Sequence, residues 1–95
     1  MADPKDPVVE RARAEIDALD EAILAAVNRR LVVVDDLHRH KVAMGYPMVD
    51  AGREQRIVER LREQNPGPLS ADGVGELVHA VIALSVREAR RLRDA

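Results

Sequence analysis

Between Val8 and Val42 the chain contains neither glycine nor proline, and in a sequence of 95 residues that single run constrains everything else. Ala, Leu, Arg and Glu give it high intrinsic helix propensity, so it predicts one helix from about Val8 to Val42. At ~1.5 Å per residue such a helix is about 50 Å long, far longer than one small domain can cover. The expectation is that it crosses into a second subunit. Leu31-Val32-Val33-Val34 has a strand-like composition, but it lies inside a three-four periodicity without a turn signal on either side. It is read as helical.

The periodicity itself carries the next constraint. Counting from Val9 in steps of three and four gives Val9, Ala12, Ile16, Leu19, Ile23, Ala26, Arg30, Val33 and Leu37, an apolar row with one charged member. Lys41, further along, returns to within about 20° of the Arg30 direction and roughly 16 Å along the axis. Two cations thus face one apolar surface, where an uncompensated charge is costly to bury. Acidic side chains or a bound anion would meet that cost. A snorkelling arginine, an inter-helix ion pair and a lysine complementing the helix dipole are the alternatives at this point.

Met44-Gly45-Tyr46-Pro47 ends the long helix, and Asp50 is the expected N-cap of a second helix running from about Ala51 to Gln64. Its apolar stripe, Ile57, Val58 and Leu61, is narrow. Asn65-Pro66-Gly67-Pro68 is a firm stop, and Ser70 is the expected N-cap of a third helix reaching about Arg91. That helix is expected to bury Val74, Leu77, Val78, Val81, Ile82, Ser85 and Ala89. The fold class is therefore all-α, with a long, a short and a medium helix per subunit, packed antiparallel through short connections. The expectation is that residues 8–95 form the helical domain and residues 1–7 a disordered tail.

Composition narrows the function classes. A formal net charge of −2 gives no general polyanion signal, and Tyr46 as the sole aromatic leaves no stacking platform, so nucleic acid is a poor partner. The absence of cysteine excludes disulfides, thiol nucleophiles and cysteine metal sites. No stretch is long and apolar enough for a membrane span, and the opening residues carry no signal-peptide core, which makes a cytoplasmic location the expectation.

The polar residues worth following form a set. Arg13, Arg30, Lys41 and Arg53 can converge with Asp50, Glu54 and Ser85 if the short helix folds back over the end of the long one. Arg13 is rotated by about 100° from Arg30, so it is a surface residue within one chain and reaches a site only on a partner subunit. His38 and His40 are two apart and face different directions, a weak metal signal; these and His79 are read as solvated or packing residues. Ser85 has no neighbouring base or glycine elbow to make it a nucleophile. Glu10, Glu15, Asp17 and Asp20 read as a solvated acidic face near a helix N-terminus.

Arg13-Ala-Glu-Ile16-Asp-Ala-Leu19-Asp20, then Arg29-Arg30, then Lys41, then Pro47-Met-Val-Asp50-Ala-Gly-Arg53-Glu54 resembles the all-α chorismate mutase family. The resemblance runs from about Val8 to Arg91. It implies an intertwined homodimer of three-helix subunits and a pericyclic rearrangement of chorismate, a small dicarboxylate, to prephenate. No nucleophile, metal or cofactor is needed for that reaction. By matching position, Arg30 and Arg13 of a partner subunit resemble carboxylate clamps, and Lys41 resembles the donor to the ether oxygen. Asp50 and Glu54 match positions that hold the ring hydroxyl, and Arg53 and Ser85 match further polar contacts. Leu37, Ile57, Ile82 and Val86 would supply apolar walls. Where the family usually carries Gln or Glu as a second partner for the ether oxygen, this chain has Ala89. Glu88 beside it points about 100° away. Two alternatives accompany the mutase reading: a mutase or lyase for 4-amino-4-deoxychorismate or isochorismate, and a module working with a shikimate-pathway partner enzyme.

Overall fold

The computed structural model describes residues 6–95. Its order is α1 (Pro7–Met44), α2 (Arg53–Gln64) and α3 (Ala71–Asp94), with no strand among the described residues. The described residues divide into two compact units, residues 6–30 and 31–95.

α1 is the long helix expected from the uninterrupted run, extended slightly at both ends by its caps. Asp6 Oδ1 accepts from the Val8 amide at 2.9 Å, and the Asp6 carbonyl accepts from Glu10 at 2.9 Å. Pro7 suits the first helical position because its missing N–H would have no partner there. Residues 1–5 of the expected tail lie outside the described residues. At the other end Gly45 takes φ 72°, and the amides of Gly45 and Tyr46 return to the carbonyls of Val42 (3.2 Å) and Lys41 (2.9 Å). This left-handed closure stops the helix without leaving its last carbonyls bare.

No residue of α1 is buried within the single chain. Ile16, Leu19, Ile23 and Val33, all members of the apolar row, remain 54%, 62%, 62% and 66% exposed.

α2 starts later than expected, and Asp50 is not its cap. Gly52 holds the N-cap position with φ 83°, and no side chain caps the helix there. The left-handed turn at Gly52 takes the chain into α2, and the Asp50 carboxylate is engaged by Arg56 instead of by a backbone amide.

Ser70 caps α3 as expected, its Oγ accepting from the Gly73 amide at 3.0 Å. Before it, Asn65 bridges its own turn, donating from Nδ2 to the Leu69 carbonyl (2.8 Å) while its Oδ1 accepts from the Gly67 amide (3.0 Å). Val58, Val74 and Val78 form the core, with Ile57, Leu61 and Ile82 packed against it. Arg62 Nε donates to the Ala71 carbonyl at 2.9 Å, which fastens the end of α2 to the start of α3. Gly75 leaves room for that side chain, since a Cβ there would stand 3.0 Å from Arg62 Nη2. Ser85 and Ala89 continue the buried face of α3. Leu77, expected on that face, is 54% exposed. The narrow apolar stripe of α2 covers only part of the wider stripe that α3 presents.

Candidate functional site

The candidate residues are distributed over both units. In residues 6–30, Arg13 is exposed on α1 and Arg30, in the apolar row, is half-buried. The remaining five lie in residues 31–95.

Lys41 occupies the last turn of α1, where a cation complements the helix dipole. Its Nζ also reaches over the connection to the Met48 carbonyl at 3.4 Å. The α1 C-terminus is thereby tied to the segment that carries Asp50. Asp50 accepts a hydrogen bond from the Arg53 amide at 3.1 Å through its carbonyl, which turns the chain into α2. Its carboxylate receives Arg56 Nη2 at 3.1 Å on each oxygen. Arg56 was not among the residues singled out from the sequence, because the contact skips six positions and bridges a turn rather than a helix face.

Glu54, in the first turn of α2, points to α3. Its Oε2 lies 3.2 Å from His79 Nδ1. An ionised carboxylate only accepts, so the proton sits on Nδ1 of that histidine. His79, expected only as a solvated or packing residue, is exposed and also pairs with Glu54, a partner not legible at a separation of 25 residues. Ser85 is 3% exposed on α3, and Ala89, one turn further, is fully buried. Glu88 turns its carboxylate to Arg91 Nε at 3.4 Å, away from the Ala89 position.

The other histidines take packing and pairing roles. His40 meets Tyr46 edge-on, with ring centroids 6.0 Å apart. His38 accepts at Nδ1 from Arg93 Nη1 at 3.0 Å, which joins the C-terminal part of α1 to the end of α3. Because a guanidinium can only donate, His38 is neutral with its proton on Nε2. Burial holds its pKa below the ordinary 6.5, the Arg93 and Lys41 charges add to the depression, and Asp35 opposes it.

A histidine with a depressed folded-state pKa binds fewer protons folded than unfolded. Its contribution is therefore complete above pH 6.5 and is lost as pH falls below that value through the folded pKa. The melting temperature should fall on acidification through this window. In His38→Gln, where the amide oxygen can accept from Arg93 without titrating, the slope should flatten; an unchanged slope in thermal melts would remove His38 as its source.

Residues 31–95 carry two cations, Lys41 and the exposed Arg53 at the start of α2, two carboxylates and a buried hydroxyl; Lys41, Asp50 and Glu54 are held by the Met48 carbonyl, Arg56 and His79 respectively. None of these is an arrangement for nucleophilic attack. Cations, carboxylates and hydroxyls are the group types that bind and orient an anionic, hydroxylated molecule. Among the described residues no helix is long and apolar enough to cross a membrane.

Residues 12–90 match the chorismate mutase type II family. The intracellular chorismate mutase of Mycobacterium tuberculosis is 37% identical over 60 residues, 63% of this chain and 57% of that protein. The DNA mismatch repair protein MutS of Cereibacter sphaeroides is 35% identical over 77 residues, 81% of this chain but 9% of that protein. The chain thus spans little more than half of the mycobacterial relative and a small segment of MutS. The structure of chorismate mutase (form II) from Thermus thermophilus superposes with a TM-score of 0.82 at 25% identity, covering 87% of this chain and 94% of that one.

Proposed function

Because the chain belongs to the chorismate mutase type II family, we propose that it is an isomerase that rearranges chorismate to prephenate in a site shared by two copies of itself. The observation that carries this reading is the extent of the family match: residues 12–90 include Arg13, Arg30, Lys41, Asp50, Arg53, Glu54 and Ser85.

The reaction is unimolecular and asks for little chemistry. A flexible dicarboxylate has to be held in its compact reactive shape, and negative charge growing on the breaking ether oxygen has to be met by a fixed donor. Arg30 and Arg13 of the partner subunit clamp the two carboxylates. Lys41 donates to the ether oxygen. Asp50 and Glu54 hold the ring hydroxyl, and Arg53 and Ser85 complete the polar lining. Leu37, Ile57, Ile82 and Val86 form apolar walls that keep water from competing for these groups.

A second copy is what the apolar row on α1 calls for. A row with Ile16, Leu19, Ile23 and Val33 all more than half exposed is a large apolar surface for a small protein to leave in water. Pairing the long helices of two copies covers it and brings Arg13 of one copy to the site of the other. The expectation of a cytoplasmic homodimer belongs to this reading.

Ala89 sets the expected rate. One oriented donor in such a site is worth about two to three orders of magnitude. Ala89→Gln should raise kcat on chorismate by about tenfold or more, short of that limit because the larger side chain must enter a fully buried position. Kinetics and a thermal melt on the same preparation check it; a stable variant without any gain would show that the ether oxygen is already served.

The reading is tested by supplying purified protein with chorismate, 4-amino-4-deoxychorismate and isochorismate in parallel. Chorismate should give prephenate with the highest kcat/KM. Faster turnover of either analogue would move the assignment to that substrate, and activity appearing only on addition of a shikimate-pathway enzyme would make the chain a dependent module.

A further inference from the structure

We propose that Arg56 is a specificity-determining residue: by neutralising Asp50 it makes the site prefer a substrate with a hydroxyl on the ring over one with an ammonium there. This rests on the reading of Asp50 as a holder of the ring substituent.

The contact is built rather than incidental. Arg56 Nη2 stands 3.1 Å from each oxygen of the Asp50 carboxylate. Gly52, between them in sequence, takes φ 83°, a conformation in which a side chain is strained. A Cβ on Gly52 would also come to 3.2 Å from Arg56 Nη1. The Arg56 amide donates to the Gly52 carbonyl at 3.0 Å, so the same turn that starts α2 places the guanidinium under the carboxylate. The second candidate holder, Glu54, is likewise met by a basic group, His79 at 3.2 Å.

A hydroxyl and an ammonium make different demands on such a pocket. A hydroxyl needs an acceptor of fixed direction, and a carboxylate already held by a guanidinium keeps lone pairs free for it. An ammonium carries a full charge and gains most from a carboxylate without a competing cation. Arg56 supplies that competing cation at the carboxylate itself. With about 6 Å between the two cations and an effective dielectric near 40, their repulsion weakens the amine's binding about tenfold relative to the alcohol. The bridge itself is half-exposed at both ends, with side-chain exposures of 56% and 54%, so removing it barely alters the fold.

The test is the ratio of kcat/KM for 4-amino-4-deoxychorismate to that for chorismate, in the unaltered protein, in Arg56→Gln and in Arg56→Lys. Arg56→Gln should raise the ratio about tenfold, and Arg56→Lys, which restores the charge, should bring it back to within about twofold of the starting value. If turnover of the glutamine variant is too slow to measure, competition between the two substrates for binding reads the same ratio. A ratio unchanged in Arg56→Gln, or shifted equally in Arg56→Lys, overturns the assignment while leaving the mutase reading in place. Failure of the unaltered protein to turn over chorismate overturns the mutase reading and this assignment with it.

Discussion

Arg30→Ala should reduce chorismate turnover by about two to three orders of magnitude, the loss expected when one fixed charge or donor is removed from a preorganised site. Arg30 is a half-buried residue in an apolar row, and alanine there removes a cation from that row without introducing a polar atom. The variant should therefore stay folded and keep its oligomeric state, with helix content and sedimentation unchanged. Loss of activity with those two properties intact assigns Arg30 to the substrate. Full activity in the folded variant would mean that the charge is structural and that the clamp lies elsewhere.

Ile23→Asp should separate the two copies. Ile23 sits in the apolar row and is 62% exposed in the single chain, so a carboxylate there is solvated in a monomer and costs little. In a dimer that covers the row, each copy would bury an unpaired charge, at a cost of several kcal/mol per ion. Two such costs are expected to weaken association by about a thousandfold or more. Sedimentation should then show monomer where the unaltered chain is expected to be a dimer, and activity should vanish with it, because Arg13 would no longer reach a second copy. An Ile23→Asp protein that remained a fully active dimer would show that the row is not the interface.

The parts of the fold that were legible in the sequence are those set by neighbours along the chain. The span of α1 follows from a run without glycine or proline, its stop from Gly45, and the start of α3 from Ser70, whose hydroxyl finds the Gly73 amide as the pattern predicts. The start of α2 was less legible. Asp50 has the right side chain for a cap, but the positive φ at Gly52 sets the helix start and Arg56 captures the carboxylate. Leu77 fits the apolar period of α3 and is nonetheless exposed, because burial depends on what lies opposite and α2 presents only a narrow stripe.

The site divides in the same way. Residue types and spacing pointed to Lys41, Asp50 and Glu54, yet their immediate partners, the Met48 carbonyl, Arg56 and His79, arise from contacts across turns and between helices. No periodicity encodes those contacts. The pairing of His38 with Arg93 spans 55 positions and is of the same kind. The apolar row of α1 is the opposite case: plain in the sequence, it finds no cover within one chain and directs attention to a second.

The claim that the site is shared is tested most directly by mixing two inactive variants, Arg13→Ala and Arg30→Ala, under conditions where subunits exchange. In a mixed dimer one site carries both lesions and the other carries neither. Random exchange of equal amounts makes about half of all dimers mixed, so activity should return to about a quarter of that of the unaltered protein. A mixture as inactive as its parents, with exchange demonstrated by labelled subunits, would contradict a chorismate mutase site built from two copies of this chain.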